Sequence, residues 1–410
     1  MKIKQIIIPL FLIVVFSQLY LSSFRINIVI QIVVLFILLL LNDFKISSRI
    51  VSLLTPLFLI FVIGFFGSVW RNFEIIYFIK DITHFIKPII GLSLGYLFFQ
   101  KIDFKFFIKI VVLTGFSMAC FHILLVLFNG KLMIEKINEL RNAFGKDNFL
   151  ELFSLLFFCF YNKFLDEKLF KNKMFNSLIF CTLALSCFLY FSRTMVVVCI
   201  LGFLTIFGYT KINSGNLKIF LGLITVVGLL YIYLFSIKID RNGKGIEAFL
   251  YKVKIAPSEM FNTKIDRENH KQLWDHWRGY EAKRALALMD KTPMSYVVGT
   301  GFGSLIDLKF KAPLDKEGIR YISETHNGYI YIFYKTGILG LFLLLYFLLN
   351  FYRYIYLNYQ FVPVFISIIG ISFLFTTLTI TGIYNPRDII IIILGGLLVF
   401  SSQQNILLKE

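Results

Sequence analysis

The sequence predicts an all-α membrane protein, a polytopic bundle of about 12 transmembrane helices with one large extracytoplasmic loop containing an amphipathic helix. Three observations predict it. The 410 residues are 58% hydrophobic and 18% aromatic but only 16% charged, with a mean hydropathy of +0.77. A soluble domain carries about 25% charged residues and far less apolar surface. The apolar residues also fall into runs of membrane-spanning length, about 17 to 25 residues each. Finally, one polar segment, 238–324, is far longer than the few residues that join neighbouring elements.

Taken in order, the apolar runs place spans near 5–24, 26–42, 50–70, 82–99, 106–128, 148–164, 176–191, 195–210, 218–237, 325–349, 361–382 and 388–402. This divides the chain into an N-terminal membrane bundle of about nine spans (1–237), the large loop (238–324) and about three C-terminal spans (325–410). Met1-Lys2-Ile3-Lys4 followed by an apolar run resembles a signal peptide, but no small-residue cleavage site follows, so an uncleaved first span is expected. The five cysteines (Cys120, Cys159, Cys181, Cys187, Cys199) all lie in apolar runs, so neither a disulfide nor a metal site is expected.

The net charge of +18 is spread through the short connections rather than gathered in a stripe, which argues for membrane-surface charge and against nucleic acid. Alternate connections carry Lys45 and Arg49, then Lys101, Lys105 and Lys109, then Lys163, Lys168, Lys171 and Lys173, then Lys211 and Lys218, then Arg353. That bias puts both termini in the cytoplasm and the large loop on the outer face. Residues 129–147 weaken the bias, because Lys131, Lys136, Arg141 and Lys146 there are balanced by Glu135, Glu139 and Asp147. Within the large loop, residues 271–289 read as an amphipathic helix with Leu273, Trp277, Ala285 and Met289 on one stripe and the polar Glu281 interrupting it.

Threading this topology brings costly polar residues to the outer ends of spans. Ser192-Arg193-Thr194 ends the seventh span, His326 begins the tenth, Pro386-Arg387 precedes the twelfth, and Lys80, His84 and Lys87 share one face of the fourth. Asp81 lies beside Lys80, and Asp147, Asn148 and Glu151 open the sixth. Ionisable residues inside spans usually face a wet cavity, and a basic chamber opening outward results. Each has a plainer reading: Arg193 and Arg387 as interface anchors, His84 as a helix-end anchor, His122 and His276 in packing or surface roles. Gly299-Thr300-Gly301-Phe302-Gly303 resembles a phosphate loop but follows no convincing strand, so a turn is expected. Gly91 and Gly95 have the spacing of close helix packing.

Arginine grips phosphate oxygens bidentately and never loses its charge, while a histidine takes a proton near neutral pH. The combination describes transfer of a group from a diphosphate to an alcohol. Outside the cell there is no nucleotide pool, so the diphosphate should be carried on a lipid.

His326-Asn327, nine residues, then Gly337-Ile338-Leu339-Gly340 resembles the signature of the bacterial O-antigen ligase and O-antigen polymerase superfamily. Ser192-Arg193-Thr194, Trp277-Arg278-Gly279-Tyr280 followed by Pro293 and the glycine-rich turn, and Arg141-Asn142-Ala143-Phe144-Gly145 before Asp147-Asn148 agree with it. The resemblance implies a GT-C-like, metal-independent, inverting glycosyltransferase without a cofactor. It would use undecaprenyl-diphosphate-linked glycan as donor and a lipid-linked sugar or the lipid A core as acceptor, in the bacterial inner membrane with its site facing the periplasm. A chain-length regulator is a further partner it suggests.

By position, His326 is the catalytic candidate. Arg193 and Arg278 take the diphosphate, with Arg284 as the alternative to Arg278. Arg387, Lys87, His84, Asn327 and Tyr280 complete the candidate substrate-binding set. The signature does not separate polymerase from ligase; the Lys/Ile/Phe/Asn-heavy composition leans toward polymerase. A flippase of lipid-linked sugars also needs a cationic cavity, but the internal repeats expected of transporters are not evident and the one-sided loop is unneeded for transport. A noncatalytic assembly partner would leave the histidine and the arginines without a common purpose.

Overall fold

The computed structural model describes residues 2–21, 23–69, 73–128, 148–190, 192–240, 246–261, 265–266, 270–314 and 317–407. Each expected apolar run folds as a helix. These are α1 (Lys2–Tyr20), α2 (Phe24–Leu41), α3 (Ser48–Val69), α4 (Ile75–Phe99), α5 (Phe104–Phe128), α6 (Leu150–Leu165), α7 (Lys173–Leu189), α8 (Arg193–Ile206) and α9 (Ser214–Ser236). After the loop come α14 (Gly328–Tyr352), α15 (Phe361–Thr379) and α16 (Ile390–Leu407). Among the described residues, seven helices are long and apolar enough to cross a membrane, namely α2, α3, α4, α5, α9, α14 and α15. α1, α7, α8 and α16 are apolar but shorter.

A backbone in lipid has no water to bond, so apolar runs must close their hydrogen bonds internally as helices. Their starts are set by short polar side chains: Ser23, Asn172, Ser192, Asn213 and Asn327 each accept a hydrogen bond from a first-turn N–H. Two starts that carry the candidate histidine and arginine differ from expectation. α14 opens at Gly328 rather than 325, because Asn327 is its cap, and His326 lies just ahead of the helix. Ser192 and Arg193 open the eighth helix rather than ending the seventh.

The core of the bundle is α4, packed on α16, α2 and α3, with α14 against α3 and α15. α4 and α16 approach closely because both carry glycine at the crossing: a Cβ at Gly95 would stand 1.8 Å from the Ile392 carbonyl oxygen, and one at Gly395 would stand 2.3 Å from that of Leu92. α4 itself begins at Ile75, seven residues earlier than expected. Asp81 is expected beside Lys80 at the outer end of this span, facing a wet cavity, but it is fully buried and ion-paired with the equally buried Lys335 of α14. Asp81 also accepts from Gly303 N at 2.7 Å, and Lys335 donates to the Ser304 carbonyl at 2.7 Å.

That pair anchors the glycine-rich turn. Phe302 is buried among Phe61, Phe78 and Phe85, and its N–H donates to Gly64 O at 3.0 Å. Thr300 N and Gly301 N donate to the Tyr334 and Lys335 carbonyls. Those acceptors are available because α14 breaks its helical dihedrals at Gly337 (φ 67°, ψ −167°). A Cβ there would also lie 2.1 Å from Val297 O. The signature glycine therefore makes a kink that receives the turn, and the turn has a structural role.

Removing one partner of a buried ion pair strands the other, at about 3–5 kcal/mol. Lys335→Met is expected to lower the unfolding midpoint of the detergent-solubilised protein sharply, and Asp81→Asn combined with Lys335→Met to restore most of it. Equal losses in the single and double variants would show that the charges are not coupled.

Residues 238–324 are not uniformly irregular. α10 (Ile246–Phe261), α11 (His270–Asp275), α12 (Trp277–Met289) and α13 (Ser295–Val298) precede an antiparallel hairpin, β1 (Ile306–Ala312) and β2 (Ile319–Ile322), an addition to the expected all-α architecture. The expected amphipathic helix is present but divided at His276 into α11 and α12. At the other end of the bundle the basic connections are tied together: Arg49 donates to Tyr354 and Ser401, and Tyr352 Oη to Thr210 O.

Candidate functional site

The first turn of α8, helices α9, α10, α11 and α12, the C-terminal end of α15, the segment before α14 and the segment before α16 surround one cavity of about 1100 Å³. Its polar wall holds Arg193, Arg278, His326 and Arg387, which come from distant parts of the chain. Its other wall is apolar, with Val197, Leu230, Phe249, Val253, Phe375 and Leu378. A cationic head joined to an apolar flank suits an amphipathic ligand rather than a free sugar.

Arg193 reaches the cavity because Ser192 caps α8 and fixes the first residue of that helix at its mouth. Its guanidinium donates to Lys252 O and, at 3.5 Å, to Glu259 Oε2. Arg278 donates to the same oxygen at 3.0 Å. One carboxylate oxygen on α10 thus bridges two arginines from α8 and α12, which sets their spacing to that of a shared anion. The Arg278 Nε is buried with no hydrogen-bond partner among the described residues. Trp274 and Trp277, with ring centroids 5.3 Å apart, form the adjoining wall.

His326 is half exposed to the cavity, and Glu281 of α12 lies behind it, 2% exposed. Glu281 Oε2 accepts the His326 backbone N–H at 2.9 Å, and the His326 Nδ1 lies 3.0 and 3.1 Å from the two carboxylate oxygens. The stripe that runs through α11 and α12 explains the placement: Leu273, Trp277, Ala285 and Met289 are all buried, and Glu281 is buried with them. The residue that interrupts the apolar pattern is the one that touches the histidine.

Glu324 also lines the cavity and bridges Lys80 (2.9 Å) and His84 Nε2 (3.0 Å). Burial alone would push its carboxyl up, but His84, Lys80 and Lys335 outweigh this and hold it below the usual carboxylate range.

The remaining candidates are placed elsewhere. Arg284 points to β1, its Nε donating to Asp307 O at 2.8 Å. Tyr280 packs against Phe310 and donates to Leu308 O at 2.6 Å. Lys87 is fully buried and donates to the Ile383 and Asp388 carbonyls, where it ties α4 to the segment before α16. His84 is buried against Phe24 and meets the cavity only through Glu324. Asn327 caps α14 through Tyr329 and Ile330 N. The single-helix-face argument placed Lys87 and His84 in a chamber, but at these two positions the face is covered by protein, while the Lys80 side chain at its outer end stays partly exposed. Arg141 to Gly145 and Asp147 lie outside the described residues, whereas Asn148 is buried, donating to Glu151 at 2.6 Å. Glu259 and Lys335 were not singled out from sequence; Asp81 and Glu324 were noted beside Lys80 and His326 but without their partners, and Glu281 was visible as the break in the amphipathic stripe.

Residues 178–345 match a family model described as O-antigen ligase. The match runs from α7 to the middle of α14 and takes in Arg193, Arg278 and His326, and it supports the resemblance to the ligase and polymerase superfamily. No curated protein and no solved structure matches the chain.

Proposed function

We propose, from this family match, that the chain is a glycosyltransferase of the outer leaflet, moving a glycan from undecaprenyl diphosphate to a hydroxyl acceptor. The observation that carries the reading is the convergence of Arg193, Arg278, Arg387 and His326 on one cavity with an apolar flank. The flank suits the polyprenyl chain, and the guanidinium groups suit the diphosphate, supplying fixed positive charge where negative charge grows as the bond breaks. The acceptor hydroxyl attacks the anomeric carbon from the face opposite the diphosphate, the C–O bond to phosphate breaks, and configuration inverts. His326 takes the hydroxyl proton. In this role the arginines do what a metal ion does in other transferases, and no resident metal is required.

Trp274 and Trp277 offer an aromatic wall beside Arg278, where sugar rings stack readily. We lean to polymerase over ligase. Surface glycan from a strain lacking the gene separates them: single repeat units attached to the core indicate a polymerase, and full-length chains stranded on the carrier lipid indicate a ligase. Unchanged glycan in that strain would end both readings.

A further inference from the structure

We infer that Glu281 is the positioning residue for His326, holding the imidazole with its proton on Nδ1 so that Nε2 carries the basic lone pair. The inference rests on the glycosyl-transfer reading for its chemistry, but its geometry stands independently. Both carboxylate oxygens are used. Oε2 receives the His326 backbone N–H, and the ring Nδ1 sits 3.0 and 3.1 Å from Oε1 and Oε2. A carboxylate that binds both the main chain and the ring of one residue fixes where the residue sits and how its ring is turned.

Burial argues that the contact is not incidental. Glu281 is 2% exposed on a stripe otherwise made of Leu273, Trp277, Ala285 and Met289. Burying an ionised carboxylate costs several kcal/mol unless partners repay it. A helix needed only for packing would carry leucine at that position. The histidine side chain is by contrast 49% exposed, so the pair spans from the protein interior to the cavity. An acid behind, a histidine between and a substrate hydroxyl in front is the logic of an oriented base.

The step then balances. The acceptor O–H proton passes to Nε2 as its oxygen bonds the anomeric carbon. The bond to the diphosphate breaks with its electron pair, and that charge falls to Arg193 and Arg278. Glu281 stabilises the imidazolium until water removes the proton. Among the described residues, the charged groups that face His326 or share its cavity are Glu281 on α12, Glu324 just before it in the chain, and Arg193, Arg278, Arg387 and Glu259 in the cavity wall. Glu281→Gln removes one of these charges and leaves an oxygen to accept from Nδ1.

The test uses full-length protein in lipid nanodiscs with ¹⁵N-histidine. The chain has five histidines, and the His326 signals are those missing from His326→Ala. The wild type should show the Nδ1–H tautomer, and Glu281→Gln should lower the imidazolium midpoint by about one pH unit or more. Glu281→Asp should restore part of the shift. In cells, Glu281→Gln should lower polymer yield about 10²-fold or more at unchanged protein level, with partial recovery in Glu281→Asp. A midpoint that does not move in either folded variant overturns the inference whatever the enzyme's reaction. A midpoint that moves while Glu281→Gln cells make normal glycan overturns the role in transfer. Normal glycan in His326→Ala cells as well would place the error in the glycosyl-transfer reading itself.

Discussion

His326→Ala is expected to abolish the polymer or ligated glycan while the protein still reaches the membrane in normal amount. Loss of a positioned proton acceptor removes about 10²–10⁴-fold in rate, equivalent to about 3–5 kcal/mol of barrier. The fold should survive, because the side chain is half exposed and the helix start is held by Asn327 rather than His326. Asn327→Ala separates the two halves of the signature. It should cost about 1 kcal/mol of stability through the lost cap and leave much of the activity. The measurement is the glycan ladder and the membrane level of each variant in a complemented deletion strain. Wild-type ladders from His326→Ala would remove the histidine from the chemistry. If Asn327→Ala instead matched His326→Ala at full protein level, Asn327 would have a role in the site that its contacts with Tyr329 and Ile330 do not account for.

The helices were legible because each is a local pattern: an apolar run of spanning length, bounded by serine or asparagine caps at Ser23, Asn172, Asn213 and Asn327. His326, Arg193 and Arg278 were legible because each stands in a short motif beside a helix start. What escaped was carried by pairs far apart in sequence. Asp81 looks like a surface residue until Lys335, 254 positions away, is beside it. Lys87 and His84 share a helical face with Lys80, but a single helix cannot say whether that face meets water or α16. Arg284 sits six residues after Arg278, and only the β1 strand, whose pairing with β2 is not a local apolar pattern, decides that it turns away from the cavity. Glu281 lies between these cases. Its place on the stripe was visible, and its reason for being there was not, because the reason is a histidine 45 positions on.

Arg278→Ala and Arg193→Ala should each reduce glycan about 10²–10³-fold, the usual cost of removing one fixed donor from a developing charge. Arg278→Lys should recover little, since an ammonium is a point charge without the planar fork that takes two phosphate oxygens. The competing explanation is structural. Both arginines bond Glu259, and together they could simply fasten α8 and α12 to α10. Glu259→Gln distinguishes the two accounts. It cancels the bridging charge while leaving both guanidinium groups in the cavity wall. If the arginines serve the diphosphate, Glu259→Gln retains glycan synthesis, because an anionic ligand replaces the lost carboxylate at the same place. If they serve the fold, Glu259→Gln loses as much as Arg278→Ala and does so with lower protein in the membrane. A half-buried guanidinium pair left without its carboxylate repels itself at close range, so the empty variant should be less stable than the wild type and regain stability when diphosphate is added. That regain, read as a rise in unfolding midpoint with inorganic diphosphate, is expected for Glu259→Gln and not for Arg193→Ala/Arg278→Ala. Its absence from Glu259→Gln would mean the two arginines do not form an anion site.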